Sequence, residues 1–209
     1  MEAKTLTGNP DLVISGFDCP PDSPLDLLQS WLQTADLLKI SEPRGLVLST
    51  VNDEGIPSSR VVLLKTADEK GVTFASSETS QKGRDLQTNP IAAGTLWWRE
   101  TMQQINFQGT VTKLANNISD EIFKERPPEA QAVATISTQS APMTNEQSLR
   151  TEVLKLLTQS EPIPRPETWH AYHITIESIE FWHGSKDRFH HRLRYELNSN
   201  TWQHISLQP

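Results

Sequence analysis

Apolar and polar residues alternate with a period of two over most of this chain, which predicts strands. The runs with this pattern cover residues 45–51, 58–65, 72–76, 92–98, 103–114 and 169–182, with a closing pair at 188–195 and 202–207. Asn52–Gly55 and Asp68–Gly71 are typical of tight turns between neighbouring strands. The chain therefore favours an antiparallel sheet.

Other segments of the chain have the apolar periodicity of a helix. Ser23 is a suitable cap for a helix that starts at Pro24. Its apolar stripe consists of Leu25, Leu28, Trp31, Leu32, Ala35 and Leu38. Shorter helices are predicted at 80–88, 119–125 and 145–159, with a loop after Pro127-Pro128. The order indicates an α+β fold, and a barrel is favoured because it leaves few exposed sheet edges.

Composition limits the kind of protein. We predict an N-terminal arm over residues 1–22 and a single domain over residues 23–209. A net charge of −7 argues against a nucleic-acid partner, and no apolar run approaches the length of a membrane span. Cys19 is the single cysteine, so no intrachain disulfide forms. We expect a cytoplasmic protein with no membrane partner and no metal site.

Polar chemistry is concentrated in five stretches, namely 60–65, 80–84, 97–104, 138–140 and 180–195. Arg60 and Lys65 stand at the two ends of one strand, and Ser80-Gln81-Lys82 opens a helix whose free N–H groups suit a phosphate. Each stretch also has a plain interpretation as a strand end, a helix cap or a solvated hairpin. Because no nucleophile–base motif and no Gly-rich nucleotide loop occur, we expect the chemistry to come from a bound cofactor.

In this order and spacing, the five stretches resemble the pyridoxamine/pyridoxine 5′-phosphate oxidase family of FMN-binding split β-barrels. The resemblance covers about Leu25 to Pro209. Within that family the chain is most similar to the flavin oxidases of phenazine biosynthesis. The supporting stretches are Leu6-Thr7-Gly8, Ile40-Ser41-Glu42-Pro43-Arg44, Ser80-Gln81-Lys82-Gly83-Arg84, Trp97-Trp98-Arg99-Glu100-Thr101, Pro164-Arg165-Pro166-Glu167 and Leu207-Gln208-Pro209.

The resemblance implies an FMN site between the two subunits of a homodimer. The implied FMN contacts are Arg60, Val61, Val62, Leu63, Leu64, Lys65, Ala75, Ser76, Gln81, Lys82, Gln104, Gln139, Ser140, Trp182 and Arg192. Among them, Arg60 and Lys82 would hold the phosphate. The residues nearer the ring would be Gln104, Trp182 and Arg192.

The same resemblance implies substrate contacts from Lys65, Arg126, Arg188, Phe189 and His190, with Arg192 and His190 in catalytic roles. The chain departs from the family pattern where Ile122 replaces a Tyr and Ala130 replaces a Ser, both ligands of the substrate phosphate. Phe189 replaces a Leu.

These departures favour an FMN-dependent oxidase that aromatises reduced phenazine-carboxylic acids with O2 and releases H2O2. A pyridoxine/pyridoxamine 5′-phosphate oxidase that makes pyridoxal 5′-phosphate is the alternative. A non-catalytic flavin-binding barrel is a third hypothesis.

Overall fold

A computed structural model describes residues 8–9 and 11–209 of the chain. Its strands are β1 (Gly45–Val51), β2 (Pro57–Leu63), β3 (Thr66–Ala67), β4 (Gly71–Ser77), β5 (Ile91–Trp98), β6 (Gln103–Lys113), β7 (Trp169–His183), β8 (His191–Asn198) and β9 (Thr201–Ser206). Its helices are α1 (Pro24–Leu37), α2 (Gln81–Thr88), α3 (Asn116–Lys124), α4 (Pro128–Ile136) and α5 (Glu146–Leu157). The predicted α+β composition is therefore confirmed.

All strand pairs in the sheet are antiparallel, and the order is β2-β1-β5-β6-β7-β4-β3, with β8 on β7 and β9 on β8. The long strand β7 organises the sheet. One of its edges pairs with β6, whereas the other pairs first with β4 over Trp169–Thr175 and then with β8 over Ser178–His183. The two halves of β7 thus carry different neighbours. Among the described residues the path ends at β2 and β3, so the barrel is split rather than closed.

The core lies between this sheet and α1. The Ser23 side chain accepts a hydrogen bond from the Leu25 N–H, and Pro24 opens the helix, as predicted. Trp31 is 2% exposed, with ring centroids 5.1 Å from Phe181 and 6.4 Å from Trp98. Aromatic pairs at these separations stabilise the fold beyond the burial of apolar area alone. These contacts therefore hold α1 against the inner face of the sheet.

Two predictions of local structure are wrong. The segment after Pro127 is not a loop, because Pro128 opens helix α4, whose Ala-rich sequence favours a helix. The last hairpin strand begins at His191 rather than at 188. Arg188 has φ of 71°, a left-handed conformation that no strand accommodates.

The described part of the predicted arm packs on the domain. The Trp31 Nε1–H donates to the Ser15 carbonyl at 3.3 Å, and the Tyr195 hydroxyl donates to the Pro21 carbonyl at 2.9 Å. Residues 1–7 and 10 of that arm lie outside the described residues. In the part of the chain that the structure describes, no helix is long and apolar enough to cross a membrane.

Candidate active site

Many of the residues that were implicated in FMN binding line one cleft of about 610 Å³. We call it the cationic cleft. It lies between β2, β4, the start of α2 and the segment that joins α3 to α4. Its lining consists of Arg60, Val61, Val62, Leu63, Lys65, Ala75, Ser76, Lys82, Glu125, Arg126, Pro127, Ala130 and Gln139.

Lys82 occupies the inner end of the cationic cleft. Its side chain leaves the first turn of α2, where Ser80 caps the helix by accepting from the Gly83 N–H. The Lys82 Nζ donates to Ser76 Oγ at 3.0 Å and to Ser80 Oγ at 3.3 Å, and the residue is only 5% exposed. Burial, and then repulsion from Arg60, lowers the pKa of Lys82 to about 8. Within residues 8–9 and 11–209 no carboxylate forms an ion pair with this ammonium, so the site suits an anion.

Arg60 is held beside Lys82 by a polar network. Its Nη1 donates to Thr50 Oγ1 at 2.7 Å and to the Leu48 carbonyl, and its Nη2 donates to Ser58 Oγ at 2.5 Å. Buried Asp85 lies 3.8 Å from the same Nη2. These bonds fix the guanidinium in place. Since no described residue accepts from Nε, it still has donors for a ligand.

Asp85 was not identified from the sequence. Burial alone would raise the pKa of its carboxyl group, but hydrogen bonds from Thr50, Gln81 and Ser58, together with the charge of Arg60, bring the pKa below its ordinary value. Asp85 and Gln81 are four residues apart on α2 and therefore share a helical face. That spacing was a usable signal, whereas the contribution of Thr50 and Ser58 depends on strand pairing.

The loop after α4 closes over the start of α2. The Gln81 N–H donates to Ser140 Oγ at 3.2 Å, and Ser76 Oγ donates to Gln139 Oε1 at 3.4 Å. Ser140 has φ of 71°, an uncommon conformation for a residue other than glycine. The structure thus brings Gln139 and Ser140 to the predicted cofactor residues, across about 60 positions in sequence. Leu64, by contrast, is 1% exposed in the core and does not line the cleft.

The outer end of the cationic cleft carries the predicted substrate cations. Lys65 pairs with Glu125 at 3.3 Å. Arg126 lies over the Trp169 ring at 5.3 Å and donates to the Ala130 carbonyl, while its buried Nε has no partner among the described residues. Burial lowers the pKa of Arg126. A buried donor without an acceptor is unfavourable, so this end is also suited to an anionic group.

Ala130 and Ile122, which replace the Ser and Tyr of the family's substrate-phosphate site, lie in different parts of the structure. Ala130 lines the cationic cleft, as expected for a residue that could contact a substrate. Ile122 is 8% exposed and packs with Phe123 and Trp169 in a second apolar cluster outside the cleft lining.

The remaining predicted residues form a second group, which we call the hairpin face: Gln104, Trp182, Arg188, Phe189, His190 and Arg192. Strand register sets Trp182 opposite both Gln104 on β6 and Arg192 on β8. The His190 ring lies 4.8 Å from the Trp182 ring, and His190 Nδ1 accepts from the Ser185 N–H at 3.0 Å. The neutral ring therefore carries its proton on Nε2.

The tip of the hairpin face projects outward. Phe189 is 73% exposed, and Arg188 is an exposed residue with a strained backbone. No described residue hydrogen-bonds or ion-pairs with the Arg188 side chain. A strained backbone that carries exposed side chains is characteristic of a binding loop.

The cationic cleft and the hairpin face are separated within one chain. Ala75 in the cleft pairs with Ala171 on the first half of β7, and Trp182 lies on its second half. At about 3.3 Å per residue, the strand path between Ala171 and Trp182 is about 35 Å long. No hairpin-face residue lines the cleft. The structure therefore brings together the members of each group but not the two groups.

Comparisons with known proteins agree with this architecture. Residues 34–160 match the family described as pyridoxamine 5′-phosphate oxidase, and residues 169–209 match the pyridoxine 5′-phosphate oxidase C-terminal dimerisation region. The chain belongs to the pyridoxamine 5′-phosphate oxidase family. Membership confirms the predicted split-barrel fold, the class of flavin oxidoreductase and FMN as the cofactor.

The relatives carry two different activities in their names. The chain is 37% identical to the dihydrophenazinedicarboxylate synthase of Pseudomonas chlororaphis over 207 residues, which are 99% of this chain and 93% of the relative. It is 40% identical to the pyridoxine/pyridoxamine 5′-phosphate oxidase of Mannheimia succiniciproducens over 190 residues, 90% of each chain.

One solved structure superposes over nearly the whole chain. It is PhzG from Burkholderia lata 383 in complex with tetrahydrophenazine-1-carboxylic acid. The TM-score is 0.93 at 38% identity, covering 95% of this chain and 98% of that one. The predicted similarity to the phenazine branch of the family is thus confirmed.

Proposed function

We propose that the protein is a homodimeric, FMN-dependent oxidase of phenazine biosynthesis, with each FMN between the cationic cleft of one subunit and the hairpin face of the other. Two observations support the shared site. The cleft lies beside the first half of β7 and the hairpin face is built on its second half, and residues 169–209 match a dimerisation region. Within one subunit the cleft lacks Gln104, Trp182 and Arg192, so it offers the ligand only part of the predicted contacts.

The inner end of the cationic cleft fits the FMN phosphate. Among the described residues, it supplies a buried ammonium without a carboxylate partner, from Lys82, and a guanidinium with donors left over, from Arg60. Hydrogen bonds from a charged donor to a phosphate are short and strong. The Ser140 side chain, which contacts the start of α2, and the Gln139 side chain, which contacts Ser76 on β4, would complete the enclosure of this end.

An exposed apolar strip beside that end fits the flavin ring or the second subunit. Val61 and Leu63 point outward from the edge strand β2 and are 69% and 52% exposed. Apolar area of this kind contributes about 25 cal/mol per Å² when it is removed from water. Covering the strip would also protect an exposed sheet edge.

The hairpin face would meet the ring and the substrate from the other side. Bound FMN would supply the two-electron acceptor that amino-acid side chains lack. Arg192 would place positive charge near the ring, and Gln104 offers both a donor and an acceptor to its polar edge. Arg188 and His190 would orient a substrate carboxylate.

We propose a reduced phenazine carboxylate as the substrate. Each turnover removes two electrons and two protons from the dihydro ring, and O2 takes them up as H2O2. The observation that carries this proposal is the full-length superposition on PhzG, whose structure contains a tetrahydrophenazine carboxylate. Exposed Phe189 supplies an aromatic surface for a tricycle, and the Lys65 and Arg126 cations suit its carboxylates.

The pyridoxine 5′-phosphate oxidase activity is the second candidate, because a relative with that name is 40% identical. Lys65 and Arg126 are compatible with it. Against it, Ala130 presents a methyl group to the cleft, and Ile122 has no hydroxyl. Each missing hydrogen bond to an ionised phosphate weakens binding by about 1.5–3 kcal/mol.

The test is oxygen uptake by the purified protein with each substrate in turn. We expect H2O2 from a reduced phenazine carboxylate and little pyridoxal 5′-phosphate from pyridoxine 5′-phosphate. Efficient oxidation of pyridoxine 5′-phosphate with no response to the phenazine would establish the second candidate instead. Uptake with neither substrate would leave a flavin-binding barrel as the better description.

A pair of variants sharpens the same test. Ala130→Ser restores a hydroxyl in the cleft lining, and Ala130→Ser with Ile122→Tyr restores both. We expect the KM for pyridoxine 5′-phosphate to fall by about tenfold per productive hydrogen bond. Because Ile122 is buried, the thermal stability of the double variant must be measured beside its kinetics.

A further inference from the structure

Arg192 is bound on one side by a carboxylate from the neighbouring strand. Its Nε donates to Glu180 Oε1 at 2.8 Å. In the β7–β8 register Glu180 lies opposite Arg194, two residues from the partner of Arg192, so the contact is diagonal across the strand pair. The Glu180 side chain is 14% exposed and that of Arg192 is 31% exposed, so the carboxylate is the more buried partner of the ion pair.

The chain beyond β9 holds the same arginine at two further points. The Leu207 N–H donates to the Arg192 carbonyl at 3.0 Å, and Arg192 Nη1 donates to the Gln208 carbonyl at 3.1 Å. A guanidinium has five N–H donors in a rigid fork. In the described part of the chain nothing accepts from Nη2, so the fork is fixed through Nε and Nη1 and its open side is at Nη2.

A second ion pair on β8, between Arg194 and Glu196, is an ordinary surface contact and serves as a comparison for the Glu180–Arg192 pair. Arg194 and Glu196 lie 2.7 Å apart, but their side chains are 40% and 45% exposed. Exposed pairs contribute little free energy and impose little order. The Glu180–Arg192 pair differs in its burial and in the additional backbone contacts.

We propose that Glu180 is a positioning residue, which fixes the direction of the Arg192 guanidinium so that its open side faces the flavin and the substrate. The inference rests on the proposed role of Arg192 at the ring. Since Glu180 acts through Arg192, its removal has no further effect once Arg192 is absent. A residue needed only for folding would show its effect in both backgrounds.

The experiment is a double-mutant cycle with Glu180→Gln, Arg192→Ala and the double variant, and Glu196→Gln is the matched control. FMN dissociation constants, flavin absorbance spectra, thermal unfolding, kcat and KM are measured for each. We expect Glu180→Gln to lower kcat by about tenfold to a hundredfold through misalignment and to change the flavin spectrum. Unfolding temperature should match that of Glu196→Gln, which keeps native kinetics.

Glu180→Asp, which keeps the charge but is one methylene shorter, should retain more activity than Glu180→Gln. The proposal is overturned if Glu180→Gln acts equally in the presence and absence of Arg192, or if it leaves kcat and spectrum unchanged while Arg192→Ala impairs both. A native spectrum and native turnover in Arg192→Ala would instead refute the role of Arg192, and the role of Glu180 with it.

Discussion

The cationic cleft and the hairpin face differ in how far one chain completes them. In the cleft, half-buried Arg60 and buried Lys82 are held by hydrogen bonds to Thr50, Ser58, Ser76 and Ser80 of the same chain. On the hairpin face, Phe189 is 73% exposed and Arg188 has no partner among the described residues.

This contrast has a physical basis. An anion site needs charges whose positions are fixed in advance, because hydrogen-bond geometry is directional. A surface that a second subunit will cover keeps its apolar and cationic groups exposed in the isolated chain. Under the proposed shared site, the cleft is a preorganised pocket of one subunit, and the hairpin face completes the site from the other subunit.

The most decisive test of this comparison mixes two defective subunits. Lys82→Ala damages the cleft, and the double change Arg188→Ala with His190→Ala damages the hairpin face. Each variant alone should turn over poorly. If each site draws on both subunits, a mixed dimer purified through two different tags should regain about half of native activity, because one of its two symmetric sites is intact.

The control is a mixed dimer of Lys82→Ala with Arg60→Ala subunits, in which both defects lie in the cleft. It should stay as inactive as its parents under any arrangement of sites. Recovery confined to the first mixture supports a shared site. Equal inactivity of both mixtures would mean that one subunit supplies both regions.

A smaller effect is expected on cofactor affinity. Lys82→Ala and Arg60→Ala should each weaken FMN binding by about tenfold to a hundredfold, since each removes a charge-assisted contact. Flavin fluorescence titration measures this loss, which should shrink in high salt. Lys155→Ala, on exposed α5, is the control. Weaker FMN binding in the Arg188→Ala and His190→Ala variants, with native affinity after Lys82→Ala, would reverse the assignment of the two regions.

The smallest effect concerns pH. The folded pKa of Lys82 is lowered to about 8 by burial and by Arg60, so the ligand-free ammonium loses its proton as pH rises through that value. Phosphate remains dianionic there. FMN affinity should therefore fall above pH 8, by at most about tenfold per pH unit. Titrations from pH 6.5 to 9.5 should show this fall in the native protein and lose it in Lys82→Met.

Much of the fold follows from local pattern. Period-two alternation predicted the main strands, and the Ser23-Pro24 start with the Leu28 and Trp31 stripe predicted α1. Helix α4 was missed because Pro127-Pro128 was taken only as a stop, although a proline also starts a helix well. The strand from residue 188 was misplaced because sequence does not reveal a left-handed φ at a non-glycine residue.

The chemical types in the candidate site were also readable from sequence, since Arg60, Lys82, Trp182 and Arg192 stand in stretches of unusual composition. Their surroundings were not. The lowered pKa of Lys82 depends on burial among β4 and α2, and Arg60 is held by Asp85, 25 positions away. Likewise, Glu180 meets Arg192 only because β7 and β8 pair in one register.

By itself, the sequence determined most of the element types, because these depend on local periodicity. It also carried the motifs that resemble the family and the charged and aromatic side chains that we propose bind the cofactor. Only the tertiary structure decided which of those residues stand together. Strand register and the two different neighbours of β7 divide them into a finished cleft and an exposed hairpin face. That division depends on long-range hydrogen bonding and burial, which no local pattern encodes.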